Sequence, residues 1–295
     1  APVGGLGGFH SDAFGVSYRP LSGGESAGGT DFAAVKLRSD GSRVWATQFG
    51  TAGDDYLGSV AVDGESGDIF AVGHSYFGGP DGQAGGLDFA AARLHGADGA
   101  VVWTKHFGAV DGDSYLFAVA VHAGDVFAVG RTSGTLEGQA SAGAKDFVAV
   151  RLHGADGATG WARQFGTWSQ DILLGLAVDG GGDLYAVGQT FGALDGQTSA
   201  GGFDFVSLRL RGSDGVTVWA TQFGSPGADE LNSVTLDRGG DIYAVGRTAG
   251  TFIETGWDFF AVRQRSDGAI VWTQQFGTAK DEYLRSVAVD SRRRY

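Results

Sequence analysis

Asp204–Gly224 reads DFVSLRLRGSDGVTVWATQFG, and the pattern returns at Asp31–Gly50, Asp88–Gly108, Asp146–Gly166 and Asp258–Gly277. Each copy holds an apolar–basic run, a Ser/Ala-Asp-Gly turn, and a second apolar run with one Trp. Those tryptophans are Trp45, Trp103, Trp161, Trp219 and Trp272, spaced 58 residues apart three times and then 53. A fixed period of this size, a little above the usual repeat window, signals a solenoid, a propeller or an array, and it outweighs what length alone suggests.

The neighbouring segments repeat as well. Asp12–Ser17 (DAFGVS) matches Asp68–Gly73, Asp125–Gly130, Asp183–Gly188 and Asp241–Gly246, short alternating patterns that read as strands. A Gly-rich connection leads to the next strand, such as Asp88–Leu94. An Asp-Gly pair follows in every copy (Asp40-Gly41, Asp98-Gly99, Asp156-Gly157, Asp214-Gly215, Asp267-Gly268), a strong hairpin signal because both residue types tolerate φ > 0. The Trp strand comes next and ends in Phe-Gly. After an Asp-rich loop there is a fourth strand: Ser59–Asp63, Ala118–His122, Gly175–Asp179, Ser233–Asp237 and Ser286–Asp290.

Four antiparallel strands repeated about an axis make a β-propeller. The sequence therefore predicts an all-β single domain over 1–295, with five blades at 12–50 plus 285–290, 58–108, 117–166, 174–224 and 232–277. The chain enters at a second strand and reaches its fifth inner strand last. Ser286–Asp290 is thus expected to complete the first blade beside Asp12–Ser17, a 3+1 closure that removes free sheet edges. Ala61, Ala120, Ala177, Thr235 and Ala288 are expected to line a narrow axis.

One unit, WARQFGTWSQDILLGLAVDGGGDLYAVGQT (Trp161–Thr190), resembles the bacterial-type β-propeller repeat, and the resemblance extends over nearly the whole chain. It implies propeller blades and brings no catalytic residues. Members of that family look like parts of exported or surface proteins.

Composition narrows the function classes. A hydrophobic content of 42% suffices for a core. The net charge of −13 argues against nucleic acid, whose binding rests on neutralising phosphates. No apolar run approaches the ~20 residues that a spanning helix needs, so no membrane insertion is expected. With no Cys there is neither a disulfide nor a thiolate. Met is also absent, even at position 1, which raises the expectation of a processed or partial chain and an extracellular or cell-surface location.

The strand-opening Asp (Asp31, Asp88, Asp146, Asp204, Asp258) and the base five residues on (Lys36, Arg93, Arg151, Arg209, Arg263) recur in every unit and read as a structural pair. A second basic position, Arg38, His95, His153, Arg211 and Arg265, predicts a basic rim beside the Asp-Gly turns. No cofactor is expected. Asp54, Asp55, Asp111 and Asp113 are weak Ca²⁺ candidates without EF-hand spacing, and no metal motif of His residues occurs. The repeated loop acids make a glycosidase couple a third reading only.

Residues found in single units point to binding. Trp168 stands where other units have Ala52, Val110, Pro226 and Ala279. Trp257 stands where they have Thr30, Leu87, Lys145 and Phe203, and Tyr76 and Phe191 lie in Gly-rich connections. Gln83, Gln139 and Gln197 recur in a Gly-Gln setting that could add hydrogen bonds. Such residues suit a protein hot spot or sugar stacking. The expectation is a non-catalytic scaffold for a protein partner, as part of a larger assembly, with a lectin for a polysaccharide as the alternative.

Overall fold

The computed structural model describes residues 13–17, 28–76, 86–250 and 256–290, and no helix occurs among them. Blade 1 is the three-stranded sheet β1 (Ala13–Ser17), β2 (Phe32–Leu37) and β3 (Arg43–Phe49). Blade 2 holds β4 (Asp55–Val62), β5 (Ile69–Ser75), β6 (Asp88–Leu94) and β7 (Val101–Phe107). Blade 3 holds β8 (Ser114–His122), β9 (Asp125–Thr132), β10 (Asp146–His153) and β11 (Thr159–Phe165). Blade 4 holds β12 (Asp171–Val178), β13 (Leu184–Thr190), β14 (Asp204–Leu210) and β15 (Thr217–Phe223). Blade 5 holds β16 (Asp229–Leu236), β17 (Ile242–Thr248), β18 (Asp258–Gln264) and β19 (Ile270–Phe276). All pairings within the blades are antiparallel meanders, so the five-fold reading of the repeat holds.

The Asp-Gly hairpins form, but only the Gly takes positive φ (81° at Gly41, 74° at Gly99, 71° at Gly157, 71° at Gly215, 85° at Gly268). The Asp keeps an ordinary φ and works through its side chain. The Ala100 N–H donates to Asp98 Oδ1 at 3.0 Å, and Asp40, Asp156, Asp214 and Asp267 accept in the same way. These are Asx turns followed by a left-handed Gly.

The core lies between blades rather than within them. Phe70, Val72 and Phe89 of blade 2 pack with Leu116, Val148 and Leu152 of blade 3, and equivalent clusters join blades 1–2, 3–4 and 4–5. Each joint has the same centre. The Trp161 indole N–H donates to the Gly212 carbonyl at 2.9 Å, and Gly215 lies so close beneath the ring that a Cβ there would come within 2.7 Å of it. Trp45, Trp103 and Trp219 donate in the same way to Gly96, Gly154 and Ser266, over Gly99, Gly157 and Gly268. This is why the turn needs Gly twice over: for positive φ, and to leave room for the next indole.

A second repeated unit fixes the Trp strand. Arg93 pairs with Asp68 (2.6 Å), and Arg209 with Asp183 (2.8 Å), each guanidinium lying over the neighbouring Phe70 or Tyr185 ring. The partner expected from the sequence was the Asp five residues earlier. That pairing does not occur, because positions five apart on one strand point to opposite faces. The strand-opening Asp instead accepts from a Trp-strand Gln: Gln48 to Asp31 (2.7 Å), and Gln164 to Asp146, Gln222 to Asp204 and Gln275 to Asp258 (2.6 Å each).

The expected 3+1 closure is not formed among the described residues. The first sheet has three strands, and Ser286–Asp290 makes no ladder with β1. The segment instead follows the inner strand of blade 5: Asn232 Nδ2 donates to the Leu284 carbonyl (3.1 Å), and the Val287 N–H donates to Ser233 Oγ (3.3 Å). It thus takes the place beside β16 that an inner strand would fill, without a ladder to β1 among the described residues. Of the inner-strand alanines, Ala61 and Ala177 pack against the inter-blade cores.

The joints predict a graded tryptophan series. Trp161 is 7% exposed and Trp272 is 36% exposed. Trp161→Ala should cost about 3–5 kcal/mol in urea unfolding, whereas Trp272→Ala should cost under about 1 kcal/mol.

Candidate functional site

Meander topology sorts the loops onto two faces. The hairpins joining first to second strands, and the Asp-Gly turns, emerge on one face. The long second-to-third-strand connections and the inter-blade loops emerge on the other. The basic rim lies on the first face, and local groups hold most of it. His95 pairs with Asp98 (3.1 Å), His153 with Asp125 (3.1 Å), Arg211 with Asp214 (2.9 Å), and Arg38 donates to Ser42 Oγ (3.2 Å). Arg265 is exposed.

The unit-specific aromatics collect on the opposite face. Trp168 is 72% exposed, with Tyr76 and Phe191 also open to solvent and Trp257 half-buried. The Trp168 and Phe191 loops touch, because the Phe191 N–H donates to the Gln170 carbonyl (2.9 Å). Trp257 covers the Arg247 guanidinium at 4.2 Å, and Tyr283 lies on the same guanidinium at 4.8 Å.

The recurring glutamines have a framework role. Gln139 donates to the Ala162 carbonyl and accepts from the Gln164 N–H; Gln197 does the same with Ala220 and Gln222. Both amide ends are spent on a strand backbone. Gln83 lies outside the described residues. The Ca²⁺ candidates are likewise engaged, Asp54 by the Thr30 N–H, Asp55 by Thr51, Asp111 by the Thr135 N–H and Asp113 by the Leu87 N–H. Among the described residues no group of three or more His, Asp or Glu side chains is arranged to hold a metal ion.

One feature of this face was not anticipated from the sequence. Every inner strand carries a register shift, at Gly58, Phe117, Leu174 and Asn232. The extra residue leaves the ladder, as a bulge does, and re-aims its side chain. Phe117, Leu174 and Asn232 line an axial cavity of about 350 Å³ together with Glu230, Arg247, Tyr283 and Arg285. Arg247 is held by Glu230 at 3.2 Å. The signal was present in the repeats: Gly58, Phe117, Leu174, Asn232 and Arg285 are the least alike of any inner-strand position.

Beneath the same face several joints bury two carboxylates in close company. A Cβ on Gly224 would come within 2.4 Å of Asp229 and 2.8 Å of Asp204, and Gly50 sits likewise against Asp55 and Asp31. Burial pushes Asp229 up to about 6, against the hydrogen bonds it accepts from Ser225, with the Asp204 charge adding to the rise. Asp55, Asp88 and Asp171 are raised by burial as well.

A carboxyl that holds its proton more tightly folded than unfolded stabilises the fold fully below its unfolded pKa. That contribution is lost as pH rises through the folded value. Stability should therefore fall between about pH 4 and 6, by on the order of 3 kcal/mol for Asp229 alone. Urea midpoints across that range should show the decline, and Asp229→Asn should flatten it.

The beta-propeller repeat family model matches residues 218–253, the segment from β15 into β17 and just beyond. Among solved structures, BamB from Moraxella catarrhalis is 13% identical, with 90% of this chain and 76% of that chain covered at a TM-score of 0.45. The Dos1 propeller is 9% identical, with coverage of 84% and 55% and a TM-score of 0.49. A quinohemoprotein alcohol dehydrogenase from Comamonas testosteroni is 13% identical, with coverage of 83% and 40% and a TM-score of 0.44. These likenesses concern fold alone. No curated protein matches the chain. The family model thus covers one repeat of the chain, and the sequence pattern of that segment recurs in the other blades.

Proposed function

We propose that the chain is a non-catalytic scaffold that binds a protein partner across the face carrying Trp168, Phe191, Tyr76 and Trp257. The observation that carries this reading is the segregation of difference. Positions shared by all five units make the joints and the opposite face. The residues that break the repeat cluster on one face and at the bulges beneath it. An open Trp on the same face as a pocket that combines Phe117, Leu174 and Tyr283 with an Arg–Glu pair is the make-up of a protein hot spot.

Two features support protein over sugar. A lectin with quasi-equivalent sites would need its pocket residues in most units, and the exposed aromatics occur singly. The glutamines that do recur are occupied by backbone. Against an enzyme stands the even distribution of the loop acids around the ring, where catalysis needs two of them brought together on one substrate. We place the interaction outside the cytoplasm or at the cell surface, in keeping with the expectation from the sequence.

A photo-crosslinking residue at position 168 should give a defined protein adduct in the extracellular fraction of the source, and one at position 98 on the other face should not. Trp168→Ala should weaken that partner by roughly 30-fold or more, as loss of a hot-spot Trp does. Binding to a glycan array that is lost in Trp168→Ala would replace this reading with the lectin. Adducts of equal yield from both positions would remove it.

A further inference from the structure

The two ends of the blade array are the unmated halves of one joint. In blades 2 to 5, Gly99, Gly157, Gly215 and Gly268 each lie under an indole of the preceding blade. Gly41 of blade 1 has the same conformation (φ 81°, against 85° at Gly268) and the same turn bonds. The Gly41 N–H donates to the Arg38 carbonyl at 2.9 Å, just as Gly268 donates to Arg265 at 2.9 Å. Yet no described atom lies within 4 Å of a Cβ placed on Gly41. Val35 and Leu37 beside it are partly exposed, whereas their equivalents Val150 and Leu152 are 0% exposed.

Blade 5 shows the other half. Trp272 already has its Arg263–Tyr243 support, the guanidinium 5.8 Å from the Tyr243 ring and the two rings 6.3 Å apart, as in the joints that are made. Its indole has no carbonyl to donate to among the described residues, and Phe276 at the strand end is 48% exposed. No strand of blade 5 packs extensively on a strand of blade 1 among the described residues.

We propose that the protein assembles head to tail, with blade 5 of one copy docking on blade 1 of a second copy through the same joint that links its own blades. Trp272 then lies over the partner copy's Gly41, and its indole N–H donates to the Ser39 carbonyl, the counterpart of the Ser266 carbonyl that accepts from Trp219. The occupant is a second copy because the interface is already described four times inside the chain, and each copy carries one of each half. Such a heterologous contact builds open chains or closed rings by repetition. The assembly stands independently of the partner-binding reading above.

The test uses complementary variants. Trp272→Ala spoils only the outgoing half. Gly41→Asn spoils only the incoming half, since Asn tolerates positive φ and has open space around it, yet its Cβ occupies the place of the indole. Both should fold cooperatively, with melting temperatures within a few degrees of the dilute wild type. In size exclusion with light scattering at rising concentration, the wild type should exceed its 30.4 kDa chain mass. Each variant alone should stay at that mass, and an equimolar mixture should form a one-to-one dimer that does not grow. A wild type that stays at one chain mass overturns the proposal. So does a mixture that remains monomeric, which would place Trp272 on its own Gly41, and so does an assembly that neither variant disturbs.

Discussion

The structure depends on one contact made between successive blades: an indole laid over a glycine, with its N–H held by a carbonyl of the same turn. An isolated four-stranded sheet with two apolar faces has no stable surface, and this contact sets where the next sheet must lie. It combines a large apolar area with a directional hydrogen bond, so that it fixes position as well as supplying burial. Most of the repeat can be understood as its support. The Arg–Asp pair and the aromatic ring behind it brace the Trp strand, and the Asx turn presents the glycine and the carbonyl together. Many of the positions kept in all five units serve this contact, while the strand-opening Asp holds the Trp-strand Gln.

That requirement also explains how much of the molecule was legible in its sequence. The strand order and the five units follow from residues that recur at fixed spacing, because each does the same mechanical task five times. The partner of the strand Arg was misread because two charges five residues apart look adjacent on paper, whereas strand alternation sends them to opposite faces. The Arg reaches Asp68 or Asp183 across the sheet, a relation visible only once strands are paired. The glutamines near the Gly-rich connections looked like ligand donors because their acceptors are backbone groups, which sequence patterns do not display.

The face proposed for binding was half visible. Trp168 and Phe191 stood out by breaking the repeat, and topology brings their loops together. The axial cavity was missed because a bulge adds no residue type of its own. Only the poor match among Phe117, Leu174 and Asn232 hinted that this position faces something other than a blade. The last strand is legible in part: Ser286–Asp290 lies beside β16 as the fifth inner strand should, but its ladder with β1 depends on the accumulated angle between blades, which no local pattern records.

The most direct test of the joint is hydrogen exchange at the seven tryptophan indoles, resolved by NMR. The account predicts slow exchange for Trp45, Trp103, Trp161 and Trp219 under native conditions, with loss of protection only on global unfolding. Trp168 should exchange at close to the rate of a free indole. If the four joint indoles exchange as fast as Trp168 in the folded protein, the contact does not organise the blades and the account is wrong.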